Sequence, residues 1–396
     1  MKTDLDIERP CSWEEHAMRL DALRHKLRER KLDALLVTSL HSIYYLFGID
    51  RLVSAGVFVG AIASVDKPVI TISYYGHDIM FQQSPLVGDI RYWSKDHRQA
   101  VELVAQAFSD VQPARRLGVE SNHSAVPPNI HMSLEASLRE RGAEIVDASD
   151  LVTRMRVVKS PAEIRCMRRA SELLDIHFQS AFDAMRPGAR ECDVAANSVA
   201  AMYAAGGDYV IHPPLITSGV NTLLRTFHAP SRRQFKPGEL IVMEAGASYL
   251  RYTTIGAHTA VFGKDPTPEQ RKYYRAARAE IDATVDRLAP GRKAADVTRA
   301  ISDENAGRSE SRGAAACMIY STGIAFQDVW YEGWPLTTDG RNDDEWILQP
   351  GTVLGVFGAA EKKGEFMMIC VDPVLITETG CEVLTKIDRS ELRVVG

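Results

Sequence analysis

The chain has 396 residues, 45% of them hydrophobic and 25% charged, and a formal net charge of −5. That length exceeds one ordinary hydrophobic core and predicts two or three domains, while the near-neutral balance leaves no electrostatic footprint for nucleic acid or membrane. The first ten residues hold no apolar signal-peptide core, no apolar run is long enough to span a bilayer, and six scattered cysteines form no Cys-x-x-Cys pair, so a cytoplasmic protein with reduced thiols is expected.

In chain order, residues 13–31 follow a helical pattern that breaks at Lys31, and Asp33–Thr38 is a buried-strand run. Gly56–Ile62 and Pro68–Ser73 read as two further strands. Helix 98–110, strand 116–120, helix 131–141 and strand 144–147 complete an alternating α/β domain of about 150 residues. After it, Ser160 can cap a helix with Pro161 in the first position and Glu163 three residues beyond the cap.

The second half of the sequence is written twice. Pro187-Gly188 through Asp193-Val194 recurs as Pro290-Gly291 through Asp296-Val297, 103 residues on, and the Pro237-Gly238 turn before an apolar run is echoed 113 residues later at Pro350-Gly351. Each copy reads as amphipathic helix, Pro-Gly turn, short helix, long irregular stretch, Pro-Gly turn and apolar strand, which predicts two αβ units packed face to face. A cleft between such halves is a natural place for an active site.

Met155–Glu163, His41–Gly48 and the two Pro-Gly pairs together resemble the pita-bread superfamily of methionine aminopeptidases, prolidases and creatinases over essentially the whole chain. The resemblance implies an α/β architecture: an N-terminal creatinase-like domain over residues 1–158, then a pseudo-twofold pita-bread α+β domain over 159–396. It also implies a homodimer in which one subunit's first domain covers its partner's cleft, with Phe47 and Arg51 reaching the neighbouring site. Metallopeptidases of the superfamily hold two divalent ions with two Asp, one His and two Glu. Here those positions read Glu244, Ile255, Thr322, Phe357 and Val371, with Asp372 beside the last. Hard divalent ions need an oxygen-rich cage, so neither a metal nor an organic cofactor is expected.

Two metal-free branches of the superfamily remain as templates. Ser218–Thr222 with His228 resembles the creatinase segment that carries its catalytic histidine, while Gly206–Tyr209, Tyr320–Phe326 with Trp330, and Ile347–Gly351 resemble ectoine hydrolase. Both imply hydrolysis of a planar, cationic C–N centre in a small zwitterionic compound, with no part for nucleic acid or membrane. His228 then serves as acid–base, since a neutral imidazole can take a proton from water and return it to a departing nitrogen. Glu244, in an apolar strand, is the second catalytic candidate, either neutralising the cation or attacking the amidine carbon. Tyr252, Phe326, Trp330, Tyr331 and Trp334 offer aromatic faces for a delocalised cation at roughly 0.5–2 kcal/mol each. Arg225 and Arg251 are candidates to grip a substrate carboxylate, and Asp372, His212 and His258 can also enter the cleft. Three alternatives stand beside this reading: an Xaa-Pro dipeptidase or aminopeptidase with a shifted metal site, a mononuclear centre of His228, Glu244 and His258, and an inactive binding module of the same fold.

Overall fold

The computed structural model describes residues 7–50, 57–111, 115–121, 126–209, 211–224, 228–305, 317–326 and 346–396. The chain divides into two compact units, Met1–Arg156 and Val157–Gly396.

The first unit runs α1 (Trp13–Glu29), β1 (Ala34–Val37), α2 (Leu40–Phe47), β2 (Gly60–Ser64), β3 (Val69–Tyr74), α3 (Asp78–Gln82), β4 (Val87–Trp93), α4 (His97–Asp110), β5 (Arg116–Val119), α5 (Pro128–Glu140), β6 (Glu144–Asp147) and α6 (Ser149–Arg156). Its sheet has the order β4-β3-β2-β1-β5-β6, with β2 antiparallel to both its neighbours and the remaining pairs parallel. The alternating pattern of the sequence is thus a mixed sheet. Phe108, Val104, Leu134 and Leu138 of α4 and α5 pack on one face of it, where a fully buried large apolar side chain contributes about 1.5–3 kcal/mol. β4 goes unread in the sequence because only Trp93 among its residues is buried. α2 is hidden for a different reason: its eight residues, all buried, make little more than two turns, too short a run to be told from a buried strand.

The second unit carries the duplication. The first copy is α7 (Pro161–Ala184), α8 (Glu191–Ala204), β7 (Leu215–Ser218), β8 (Leu240–Tyr249) and β9 (Tyr252–Phe262). The second is α9 (Pro268–Val285), α10 (Ala294–Asn305), β10 (Cys317–Ser321), β11 (Val353–Lys362) and β12 (Phe366–Ile376), after which β13 (Cys381–Val383) and β14 (Arg393–Val395) flank β12 and β9. The stretch read as irregular in each copy therefore holds a short edge strand, β7 or β10. The sheet order β10-β11-β12-β9-β8-β7 is a pseudo-twofold palindrome. Smaller features obey it as well: Arg190 bridges Gln234 as Lys293 bridges Ile347, and the backbone bond Glu191 N→Arg233 O is matched by Ala294 N→Trp346 O.

Local chemistry explains the first copy's leading helix. Ser160 Oγ accepts from Glu163 N at 3.3 Å and Glu163 Oε2 accepts from Ser160 N at 2.8 Å, a reciprocal cap with Pro161 at the first position. Met167, Ala170, Leu174, Phe178 and Ala181 then recur on one face at helical spacing and are buried. Pro187, three residues beyond Ala184, cannot continue the ladder.

Candidate active site

Antiparallel register sets one row of residues across the whole second sheet. Leu215 of β7 stands opposite Glu244 of β8, which stands opposite Ala257 of β9. Ala257 pairs with Val371 of β12, Val371 with Phe357 of β11, and Phe357 with Met318 of β10. The pseudo-twofold passes between Ala257 and Val371, so Glu244 and Phe357 are symmetry mates. Directly opposed residues share a face, and the row shares its face with Val242, Tyr320, Met367 and Ile369, which form their own buried cluster. The other face lies under the helices, with Phe178, Phe182 and Val194 against the first copy and Tyr274, Ala277 and Ile281 against the second.

Glu244 is thus a single carboxylate in an apolar row, 5% exposed. Its compensation comes from His212, whose Nε2 lies 3.0 Å from Glu244 Oε1. The second carboxylate oxygen makes no hydrogen bond among the described residues. Tyr320 is on the same face, and burial together with the nearby Glu244 charge holds its hydroxyl well above the ordinary tyrosine range, so it stays protonated. Its ring lies over Gly355, where a Cβ would stand 2.4 Å from the ring. The sequence offers Tyr320 within the ectoine-hydrolase-like segment and His212 as a cleft candidate, but not their places beside Glu244, which follow from the fold.

The metal set of the pita-bread metallopeptidases does not fit this face. Of the five ligand positions only Glu244 carries a carboxylate. Thr322 has a fully buried hydroxyl without a hydrogen-bond partner, but one hydroxyl and one carboxylate among Ile255, Phe357 and Val371 make no cage for a divalent ion. Among the described residues no group of three His, Cys, Asp or Glu is placed to hold a metal. The mononuclear alternative fails on register: His258 stands opposite Met243, on the face away from Glu244. There its ring meets Phe178 edge-on at 4.5 Å, and burial pushes it down to about 4, so it is a neutral core histidine.

Several other candidates are also relocated. Asp372 follows Val371 by one residue, and the strand period of two turns it to the helix side, where Oδ2 meets Arg278 at 3.0 Å and Oδ1 meets Arg389 at 3.1 Å. It is a buried structural acid and not a substrate ligand. Tyr252 is on that side too, its hydroxyl donating to Glu163 Oε1 at 2.8 Å, which ties the cap of α7 to the sheet. Phe47 is fully buried in the core of the first unit, so it cannot touch a substrate there. Phe326 is buried, with the Arg251 guanidinium 5.4 Å above its ring. His228 is exposed, and its Nδ1 donates to the Ala229 carbonyl at 2.7 Å, which leaves Nε2 as the free acceptor in the neutral ring. No contact joins it to Glu244 among the described residues. Arg51, Arg225, Trp330, Tyr331 and Trp334 lie outside the described residues.

Residues 165–378 match metallopeptidase family M24, and residues 19–158 match the creatinase/prolidase N-terminal domain. The chain is 24% identical to the ectoine hydrolase of Halomonas elongata, with 97% of this chain and 98% of the relative covered. It is also 24% identical to the Xaa-Pro dipeptidase of Pyrococcus furiosus, over 94% and 99%. Among solved structures, the prolidase from Thermococcus sibiricus superposes with a TM-score of 0.81 at 19% identity, covering 96% of this chain and 99% of that one. That likeness carries the fold. No helix among the described residues is long and apolar enough to cross a membrane.

Proposed function

The chain belongs to metallopeptidase family M24, and within that family of hydrolases we propose that it is a metal-independent hydrolase of a non-peptide C–N bond in a small amidine or guanidine compound, with ectoine or hydroxyectoine as the first substrate to test. The observation that supports this reading is the row itself, which keeps one carboxylate where a dinuclear centre needs a full oxygen cage. An amidinium supplies its own electrophilic carbon, because its positive charge is delocalised over the C–N bonds. Glu244 faces that cation from an apolar wall, where charge interactions are stronger than in water. His228, with Nε2 free to accept, is the proposed base toward water. Water's oxygen bonds to the carbon, the C–N bond breaks, and the departing nitrogen takes a proton.

The second reading is a metal-dependent Xaa-Pro dipeptidase, favoured by the equal identity to the Pyrococcus furiosus enzyme. It requires ligands drawn from outside the row. Incubation with ectoine, hydroxyectoine, creatine and Xaa-Pro dipeptides, with and without EDTA and read by mass spectrometry, separates the two. The expected result is chelator-insensitive opening of an amidine or guanidine, lowered about 10²–10⁴-fold by Glu244→Gln. Manganese- or cobalt-dependent cleavage of a dipeptide, with no C–N hydrolysis, overturns the proposal.

A further inference from the structure

One buried carboxylate of the first copy holds both ends of the segment that carries His228. Glu191 is the first residue of α8 and is 1% exposed. Its Oε1 accepts from Ser218 Oγ at 2.6 Å, and its Oε2 accepts from Ser231 N at 3.0 Å and from Ser231 Oγ at 2.6 Å. Ser218 closes β7 and Ser231 lies just beyond His228, so the chain between them leaves and returns to a single side chain. Arg233 fixes the direction of the bonds in this clasp. A guanidinium only donates, and Arg233 Nη1 lies 2.6 Å from Ser218 Oγ, while the Arg233 backbone N donates to Ser231 Oγ at 3.1 Å. Each serine hydroxyl therefore accepts from Arg233 and gives its one hydrogen to Glu191. A carboxamide in the place of Glu191 has a single accepting oxygen and can serve one end of the segment but not both.

The clasped segment begins on the face of Glu244. Gly219–Leu224 is a 3₁₀ helix whose Thr222 Oγ1 accepts from Met367 N at 3.1 Å. Leu223 packs against the buried cluster of Val242, Met367 and Ile369 on that face. In the second copy Ala294 stands in the place of Glu191, and a methyl group accepts nothing. The acceptor is thus kept in the copy that bears the site carboxylate.

We propose that Glu191 is a positioning residue for the hydrolysis, acting through His228 by tying both ends of the segment that carries it. This rests on the hydrolase reading above, with His228 as the base toward water. An exposed base is useful only if it stands within hydrogen-bond reach of the proton it takes, and the loop that bears it moves unless something holds it. Misplacement by about 1 Å costs on the order of 10²-fold in rate. Glu191 is buried beneath the segment and meets Ser218 and Ser231, so its influence on the reaction passes through their backbone.

The test uses the full chain and two readouts. Amide hydrogen exchange needs no substrate: Glu191→Gln should speed exchange about tenfold or more in peptides covering 216–224 or 228–234, with β8 and β9 unchanged. Unchanged exchange at both ends overturns the proposal, and so does faster exchange throughout the second unit, which would make Glu191 a general structural residue. Ser218→Ala and Ser231→Ala each release one end of the clasp and give the same reading should Glu191→Gln fail to fold. The second readout is a double-mutant cycle with ectoine as the probe. Glu191→Gln should lower kcat about 10²-fold with KM little changed, yet change it less than about twofold when introduced into His228→Ala, because a positioning residue has nothing left to position. Losses that multiply in the double variant defeat the positioning role alone. Full turnover by His228→Ala defeats the base assignment, and a parent that leaves ectoine intact defeats the substrate choice; the positioning role falls with either, even where exchange shows the clasp.

Discussion

The two faces of the second sheet handle buried charge in opposite ways. On the helix side, Asp372 is held by two arginines and the Tyr252 hydroxyl meets the Glu163 carboxylate, so each polar group is spent on holding the unit together. On the other side a single carboxylate stands in an apolar row, and its one partner among the described residues is His212. Both arrangements avoid an uncompensated buried charge. They differ in number of partners, since each oxygen of Asp372 has an arginine within ion-pair distance while Glu244 is met through one oxygen among the described residues.

The largest effect should come from removing the clamped acid. Asp372→Ala takes the buried carboxylate from both Arg278 and Arg389 and leaves Arg278 only the exposed Asp282, and breaking a buried pair from one side costs about 3–5 kcal/mol. Glu244→Gln keeps a carboxamide oxygen and nitrogen beside His212 and should change stability by less than about 1 kcal/mol. Urea unfolding of the two variants against the parent measures both. Equal losses would mean that Glu244 is as structural as Asp372 and would remove the contrast between the faces.

Acid gives the next effect, again on the helix side. His177 and His258 are both pushed down to about 4, in each case first by burial. Asp372 pulls His258 upward, and Arg278, Arg389 and Arg393 push it down; for His177 the opposing influences are a bond with the Gly246 backbone, upward, and His212, downward. Unfolded histidines titrate near 6.5. Between about 6.5 and 4 the unfolded chain binds protons that the folded one refuses, so stability falls as pH falls through that window. The loss reaches about 3 kcal/mol per histidine. His258→Leu should flatten the decline by about 1.4 kcal/mol per pH unit, read from unfolding midpoints at a series of pH values. An unchanged slope would place the acid sensitivity elsewhere.

The helix-side architecture was far more legible in the sequence than the site. Glycine carries a positive φ without steric cost, so the repeated Pro-Gly turns announce themselves, and Ser160-Pro161-Ala162-Glu163 announces its cap by residue type alone. The β8–β9 hairpin turn sends no such signal, because Leu250 and Arg251 adopt positive φ values of 48° and 67° without being Gly or Asn. Glu244 was readable as an acid in an apolar run. His212 was readable as a cleft candidate but not as the partner of Glu244, since that contact depends on the fold bringing together residues 32 positions apart. Asp372 was misplaced for the smallest of reasons, one residue along a strand with a period of two.

The smallest expected effect sharpens a second comparison, that between the two copies. Gly188 and Gly291 occupy equivalent turns with φ of 85° and 83°, and a Cβ at either would meet nothing within 4 Å. Any cost of alanine there is consequently backbone strain and nothing else. The two turns close alike, with Ala189 N donating to Arg186 O at 2.9 Å and Arg292 N donating to Ala289 O at 3.4 Å. A left-handed conformation costs an L-residue about 1–2 kcal/mol, partly offset because alanine also narrows the unfolded ensemble. Gly188→Ala and Gly291→Ala should each lower stability by about 1 kcal/mol, and by the same amount within error. The double variant should show the sum, because distant sites without shared partners add. Equal, additive costs would show that duplication preserved the turns as an energetic pair while the mates Glu244 and Phe357 diverged. Unequal costs would mean that divergence reached the scaffold as well, and that one copy bears more of the unit's stability than the other.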